Sequence, residues 1–282
     1  MMRRIFLFPN PYRDRNFELT LETASLLHRS GVQPVIQEDL DLELPDYFLR
    51  TPVREGVRVS EMVICLGGDG TILRIASTAA EEGKPILGIN AGKVGFLAEL
   101  ERNELNRLDE ILHGNCTIDS RAMLDVKAVR GDEIMFDSVA LNDAVVKNLD
   151  GIRMISLDFS VDDHFIASVR GDGIIAATPT GSSAYSLSAG GPLVEPCADL
   201  ILVTPICAHS LFAKSFVLSG SSNVVFENTT AGLNINLTVD GIRSHVMKPG
   251  DKAIIRKAEK RCKLIRWRNH SFYDIIRKKL II

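Results

Sequence analysis

Residues 62–66 form a short apolar run, Met-Val-Ile-Cys-Leu, that ends in a glycine-rich turn and opens into a helix. A run with no charged side chain over five residues is the mark of a strand covered on both faces. Gly67-Gly68-Asp69-Gly70-Thr71 breaks it, and Ile72, Leu73, Ile75, Ala76, Ala79 and Ala80 then recur at helical spacing until Gly83. A buried strand that feeds a helix through glycines is half of a βαβ unit. It commits this part of the chain to a layered α/β arrangement with a mainly parallel sheet.

The flanking sequence repeats the rhythm. Residues 5–8 and 32–36 read as buried strands, with a helix between them over about 16–29 that stops at Gly31. Residues 85–89 read as another buried strand. The acidic, proline-marked stretch 38–54 reads as a surface excursion. From about residue 102 the texture changes. One more helix is expected over 105–112, closing at Gly114, and after it come many short alternating runs separated by turn residues. Such runs predict an antiparallel, sandwich-like domain. A chain of 282 residues has room for two domains. The expected division is an α/β nucleotide-binding domain over 1–100, joined by the C-terminal segment 255–282, and a β-rich domain over 101–254. A last helix is expected near 272–280.

Charge excludes some partners. Lys and Arg number 33 against 36 Asp and Glu, so the whole chain offers no electrostatic footprint for nucleic acid or an anionic membrane. No apolar run approaches the roughly 18 residues of a membrane span. The five cysteines are widely spaced and contain no Cys-x-x-Cys pair, which suits a reducing cytoplasm better than a disulfide scaffold or zinc ribbon. The six histidines are scattered without metal-ligand spacing.

Four segments carry chemistry. The turn 67–71 lets the backbone approach a ligand closely, and the helix after it presents unpaired N–H groups suited to phosphate. It is neither a Walker A loop nor Gly-x-Gly-x-x-Gly. Its unusual member is Asp69. A carboxylate repels phosphate unless a metal bridges them or it acts on a hydroxyl; the competing reading makes Asp69, or Thr71, a helix N-cap. The run 170–192 is dense in Ser, Thr and Gly and holds one aromatic ring, Tyr185, able to stack on a base. It lacks a Gly-x-Ser-x-Gly elbow, so a serine nucleophile is not expected. Asn142-Asp143 could hold ribose hydroxyls or simply form a turn. The loop after the strand 85–89 is glycine-rich, and it should share a sheet edge with 67–71, where open α/β sheets gather ligands. Asp240-Gly241 and Asp162-Asp163-His164 read as hairpin turns.

Together these segments resemble the NAD kinase family. The matching stretches are GGDGTIL at 67–73, LGINAGKVGFL at 87–97, NDAV at 142–145, GDGIIAATPTGSSAYSLSAGGP at 171–192, PICAHSL at 205–211 and VDG at 239–241. GGDGT also resembles diacylglycerol and sphingosine kinases, whereas 171–192 is much more specific. The resemblance implies an N-terminal Rossmann-like α/β domain and a C-terminal β-sandwich-like domain. It implies transfer of the ATP γ-phosphoryl group to the 2′-hydroxyl of the adenosine ribose of NAD, with Mg²⁺ or another divalent cation. Asp69 matches the general base, with Gly70 and Arg74 beside it. Asn142 and Asp143 match the pair that holds the adenosine moiety, and Arg153, Arg170 and Asp172 match further NAD contacts. Ser183, Ala184, Tyr185, Ser186, Leu187 and Ser188 match the adenine-binding run. Relatives of this kind are usually homodimers or homotetramers. The competing functions are a lipid kinase of the GGDGT type and a non-catalytic dinucleotide-binding regulator.

Overall fold

In a computed structural model, which describes residues 2–92, 95–148, 153–209, 214–267 and 272–280, the chain forms two compact units. The first comprises residues 1–120 and 262–282, and the second residues 121–261.

The first unit alternates strand and helix: β1 (Arg3–Pro9), α1 (Glu18–Arg29), β2 (Val32–Gln37), β3 (Leu49–Thr51), α2 (Val53–Val59), β4 (Met62–Gly67), α3 (Asp69–Glu81), β5 (Ile86–Asn90), β6 (Leu100–Glu101), α4 (Leu108–Leu112) and β7 (Thr117–Arg121). The strands form one sheet in the order β3-β2-β1-β4-β5, and β6 pairs with β5. Every pair in that order is parallel, as is β5 with β6. Residues 62–67 are buried throughout, which accounts for the unbroken apolar run. Ile5, Leu7, Ile64, Leu66, Leu87 and Ile89 share one core with α1 and α4.

Helix α1 starts two residues later than its apolar spacing predicts. The buried Asp14 carboxylate accepts the N–H groups of Leu19 and Thr20, each at 2.9 Å, and Asn16 and Phe17 stand in left-handed conformations. The chain must turn before it can enter the helix. The stretch expected as a surface excursion, 38–54, contains β3, which extends the sheet by pairing with β2, and α2 begins at its end. Both are too short to leave a periodic signature.

The second unit contains β8 (Leu124–Arg130), β9 (Glu133–Ala140), β10 (Asp143–Asn148), β11 (Ile155–Val161), β12 (His164–Gly171), β13 (Gly173–Ala177), α5 (Tyr185–Ser188), β14 (Leu200–Ile206), β15 (Phe216–Ser219), β16 (Val224–Asn228), β17 (Ile235–Val239), β18 (Arg243–Met247) and β19 (Lys252–Lys257). Two six-stranded sheets result, in the orders β15-β14-β13-β10-β17-β18 and β12-β11-β16-β19-β8-β9. Neighbours pair antiparallel throughout both. Side chains of both sheets build one core, including Val126, Phe159 and Phe226 from one and Val146, Ile174 and Leu237 from the other. This is the expected sandwich-like layering. Asp162 and Asp163, both at positive φ, make the tip of the β11–β12 hairpin.

The chain then returns to the first unit. Strand β20 (Cys262–Arg266) pairs parallel with β5, and α6 (Phe272–Leu280) follows. The division differs from the expected boundaries at 100 and 254 in two places. Residues 101–120 stay with the first unit, because β6 pairs with β5 and because Leu105, Leu108 and Ile111 pack into its core. Strand β19 stays with the second unit, because it pairs with β8 and β16.

Candidate functional site

Strand order decides where a ligand can approach the first sheet. From β1 the chain runs outward to β2 and β3, then crosses back to β4 on the other side of β1. Crossovers diverge there, leaving a crevice at the carboxyl ends of β1 and β4. The segments leaving β1, β4 and β5 meet at this edge. Asn10 N–H donates to the Leu66 carbonyl at 2.8 Å, and Ala91 N–H to the Gly67 carbonyl at 2.7 Å. They enclose a cavity of about 290 Å³ lined by Asn10, Arg13, Gly67, Gly68, Asp69, Gly70, Thr71, Asn90, Gly92, Gly95 and Lys279. The two glycine-rich loops expected to share an edge do so. Residues 93–94 of the second loop lie outside the described residues.

Asp69 is not the cap of α3. Gly68, in extended conformation, occupies the N-cap position, and its N–H donates to the Thr71 hydroxyl at 3.3 Å. The Asp69 carboxylate turns instead to the loop after β5. Its Oδ2 accepts the Phe96 N–H at 2.6 Å, and its Oδ1 accepts those of Leu97 at 3.0 Å and Ala98 at 3.4 Å. A Cβ at Gly95 would collide with this carboxylate, so the approach requires glycine. The loop is anchored from behind: Arg266 of β20 donates to the Leu97 carbonyl at 2.9 Å and to the buried Glu99 carboxylate at 3.2 Å. Arg74 does not line the cavity. It is exposed on α3, its guanidinium 6.0 Å from the centre of the Phe8 ring.

A second cavity, of about 250 Å³, lies within the second unit and is lined by Asn142, Asp143, Val145, Lys147, Ala184, Tyr185, Thr238, Asp240 and Gly241. Asn142-Asp143 leads into β10, and Asp143 is buried. Asp240 and Gly241, at φ 51° and 68°, form the expected turn between β17 and β18. The turn has a second use that its spacing does not reveal. The Asp240 carboxylate accepts the N–H groups of Leu141 at 2.7 Å, Asn142 at 2.7 Å and Asp143 at 3.1 Å. Burial and the Asp240 charge push the Asp143 carboxyl up to about 7, well above the ordinary carboxylate range. Burial also raises Asp240, against the lowering effect of its three N–H donors.

The Ser/Thr/Gly run divides its labour. Ala184 and the partly exposed Tyr185 line the cavity, while Ser186 is buried and its hydroxyl bonds that of Thr204 at 3.0 Å. The Ser183 hydroxyl donates to the Thr180 carbonyl at 3.3 Å. Leu187 and Ser188 continue α5 outside the lining. Arg153 and Arg170 are exposed and outside it, and so is Asp172, which accepts a hydrogen bond from the Cys207 thiol.

Comparison with known proteins decides among the kinase readings. The ATP-NAD kinase N-terminal domain matches residues 5–116, and the ATP-NAD kinase C-terminal domain matches residues 141–267. The chain belongs to the NAD kinase family. The NAD kinase of Acetivibrio thermocellus is 36% identical over 281 residues, 99% of this chain and 97% of that protein. The NAD kinase of Symbiobacterium thermophilum is 41% identical over 221 residues, 78% of each chain. Among solved structures, yeast NADH kinase complexed with NADH superposes with a TM-score of 0.87 at 25% identity, covering 99% of this chain and 87% of that one. An NAD kinase from Archaeoglobus fulgidus in complex with ATP gives 0.75 at 25% identity, with 98% of each chain covered.

Proposed function

We propose that this chain moves the γ-phosphoryl group of ATP to the 2′-hydroxyl of the adenosine ribose of NAD, giving NADP and ADP, with Asp69 as general base. The observation that carries the assignment of the base is the placement of the Asp69 carboxylate. It lies at the switch-point edge of a parallel sheet, beside a glycine turn and a helix N-terminus, in a cavity that also holds Arg13 and Lys279. Both of its oxygens are oriented by backbone N–H groups. Oδ1 accepts two of them, whereas Oδ2 accepts one and keeps a second lone pair able to accept a hydroxyl proton.

In the reaction the 2′-hydroxyl proton passes to Asp69 as the ribose oxygen bonds the γ-phosphorus. The bond from that phosphorus to the β,γ-bridging oxygen breaks, and ADP leaves. Such transfers depend mainly on positioning and on neutralising charge. A carboxylate held by fixed N–H groups needs no reorientation, and a positioned base contributes about 10²–10⁴-fold. Mg²⁺ usually rides on the substrate phosphates with one or two carboxylates and waters. The donors of the first cavity, one carboxylate with the side-chain oxygens of Asn10 and Asn90, fit that mode. When bound, the ion neutralises the transferring phosphoryl group.

In the second cavity Asn142 and Asp143 offer an amide and a carboxyl group for the adenosine moiety, and Tyr185 offers a ring face. Arg153, Arg170 and Asp172, with Gly70, Arg74 and the remainder of 183–188, are proposed contacts on the family resemblance. A homodimeric or homotetrameric protein is proposed on the same ground, and a cytoplasmic one on the wide spacing of its cysteines. No helix among the described residues is long and apolar enough to cross a membrane.

The test is NADP formation from NAD, ATP and Mg²⁺, read with an NADP-specific dehydrogenase. Wild type should make NADP, and a folded Asp69→Asn should lose at least about 10²-fold in rate. Activity near wild type in that variant would leave Asp69 only its role in holding the loop.

A further inference from the structure

The last helix reaches the cavity that holds Asp69. Lys279, near the end of α6, is the only described lining residue drawn from beyond residue 95. It lies outside the residues matched by either NAD kinase domain, which end at 267. Its ammonium sits 4.2 Å from the centre of the Phe96 ring, a cation–π distance. Phe96 is the residue whose N–H donates to Asp69 Oδ2. Lys279 is half-buried, and among the described residues no carboxylate lies within ion-pairing distance of it. Burial therefore pulls its ammonium below the ordinary lysine range, with the more distant Asp69 and Glu101 charges pulling upward.

A half-buried ammonium without a salt bridge is costly unless something else meets its charge. The lining around it explains what can. Among the described residues the lining contains one carboxylate and two cations, Arg13 and Lys279, together with the backbone of the 67–71 turn at the N-terminus of α3. That balance suits an anion larger than a single carboxylate. A point charge on a flexible stem, held over a ring rather than in a salt bridge, can meet a phosphate without first breaking an ion pair.

We propose that Lys279 is a phosphoanhydride-binding residue of the Asp69 cavity, contributed by the C-terminal helix. The proposal rests on the kinase reading and deepens it, naming the group that meets the negative charge of the donor. The chemistry is that of a triphosphate chain, which a nucleoside triphosphate or free inorganic tripolyphosphate supplies.

The experiment measures equilibrium binding of ATP with Mg²⁺, of inorganic tripolyphosphate and of NAD, by calorimetry on the full chain, beside steady-state NADP formation. The variants are Lys279→Met, which keeps a stem over Phe96 and removes the charge, and Lys279→Arg, which keeps the charge. Loss of one charge-assisted phosphate contact should raise the Kd for ATP about 10- to 100-fold in Lys279→Met. The KM for ATP should rise in parallel, and NAD binding should stay within about twofold. Lys279→Arg should recover most of the loss. If tripolyphosphate affinity falls equally, the contact is to the phosphate chain; if only ATP is affected, it depends on the nucleoside as well.

Unchanged ATP affinity in a Lys279→Met protein with the wild-type melting temperature overturns the proposal. So does tighter binding, which would make α6 an obstruction rather than a contributor. The kinase reading fails separately, if wild type binds ATP in a Lys279-dependent way yet makes no NADP.

Discussion

In the first unit the Asp69 carboxylate accepts N–H groups from Phe96, Leu97 and Ala98; in the second, Asp240 accepts them from Leu141, Asn142 and Asp143. Each is a side chain in a turn that gathers three consecutive amides from a segment distant in sequence. Each clamp also has beside it a glycine at which a Cβ would collide. Gly95 lies against Asp69 itself, and Gly181 lies against the Asn142 carbonyl. Their surroundings differ. Asp69 opens onto a cavity with two cations, whereas Asp240 is packed beside a second buried carboxyl group, Asp143. On the proposed reading the same amide clamp serves two ends: beside cations it aims a base, and beside a second buried acid it fixes the shape of a loop proposed to hold the adenosine moiety.

The largest effect that separates the two clamps is on turnover. Asp69→Asn should lower kcat by at least about 10²-fold. The amide also points one N–H₂ at a loop N–H, so its thermal unfolding must be measured alongside. Asp240→Asn carries the same clash and should leave kcat less affected, raising the KM for NAD instead. If the two variants show the same kcat and KM pattern, the division of roles is wrong.

Gly95→Ala asks how much the aim matters without removing the acid. The added methyl displaces the carboxylate or the loop, and a misplacement of about 1 Å can cost about 10²-fold in rate. We expect a fall in kcat of about 10-fold or more with a melting temperature near wild type, because Gly95 lies in a loop outside the core. A proportionate loss of stability and rate would instead make the clamp structural on both sides.

Much of this comparison is legible in the sequence. The strand–turn–helix at 62–80 and the parallel rhythm around it followed from unbroken apolar runs, which only a doubly covered strand needs. The alternating runs after 120 pointed to antiparallel sheets. Asp69, Asn142, Asp143 and Tyr185 stood out because their residue types are odd company for their neighbours. Asp240 did not stand out as a ligand-side residue, since Asp-Gly is sufficiently explained as a hairpin turn; its carboxylate acts on amides a hundred positions earlier. Gly95 was visible only as one glycine of a glycine-rich loop, not as the close neighbour of Asp69, and Arg266 was silent, because a close approach or a long-range anchor has no local period. Arg74 came from the family resemblance alone; it stands five residues beyond Asp69, and at 3.6 residues per turn that spacing sets it on another face of α3, outside the lining of the first cavity.

The smallest expected effect concerns the second clamp alone, and its sign is distinctive. Burial and the Asp240 charge hold the Asp143 carboxyl at about 7 in the folded protein, while an unfolded chain ionises it near the ordinary value. Between those two values the folded state binds more protons than the unfolded one. Stability contributed by this group is therefore fully present below the unfolded pKa, and it falls as pH rises until the folded pKa is passed. Burial raises Asp240 in the same direction. Denaturant melts of wild type should lose stability from about pH 4 to about pH 7 relative to Asp143→Asn, which has no proton to lose at this position. The gap between them should widen across that interval and level off above it. A wild-type profile that already runs parallel to Asp143→Asn over this interval would mean that Asp143 is ionised in the folded protein, with its charge already met inside the cavity.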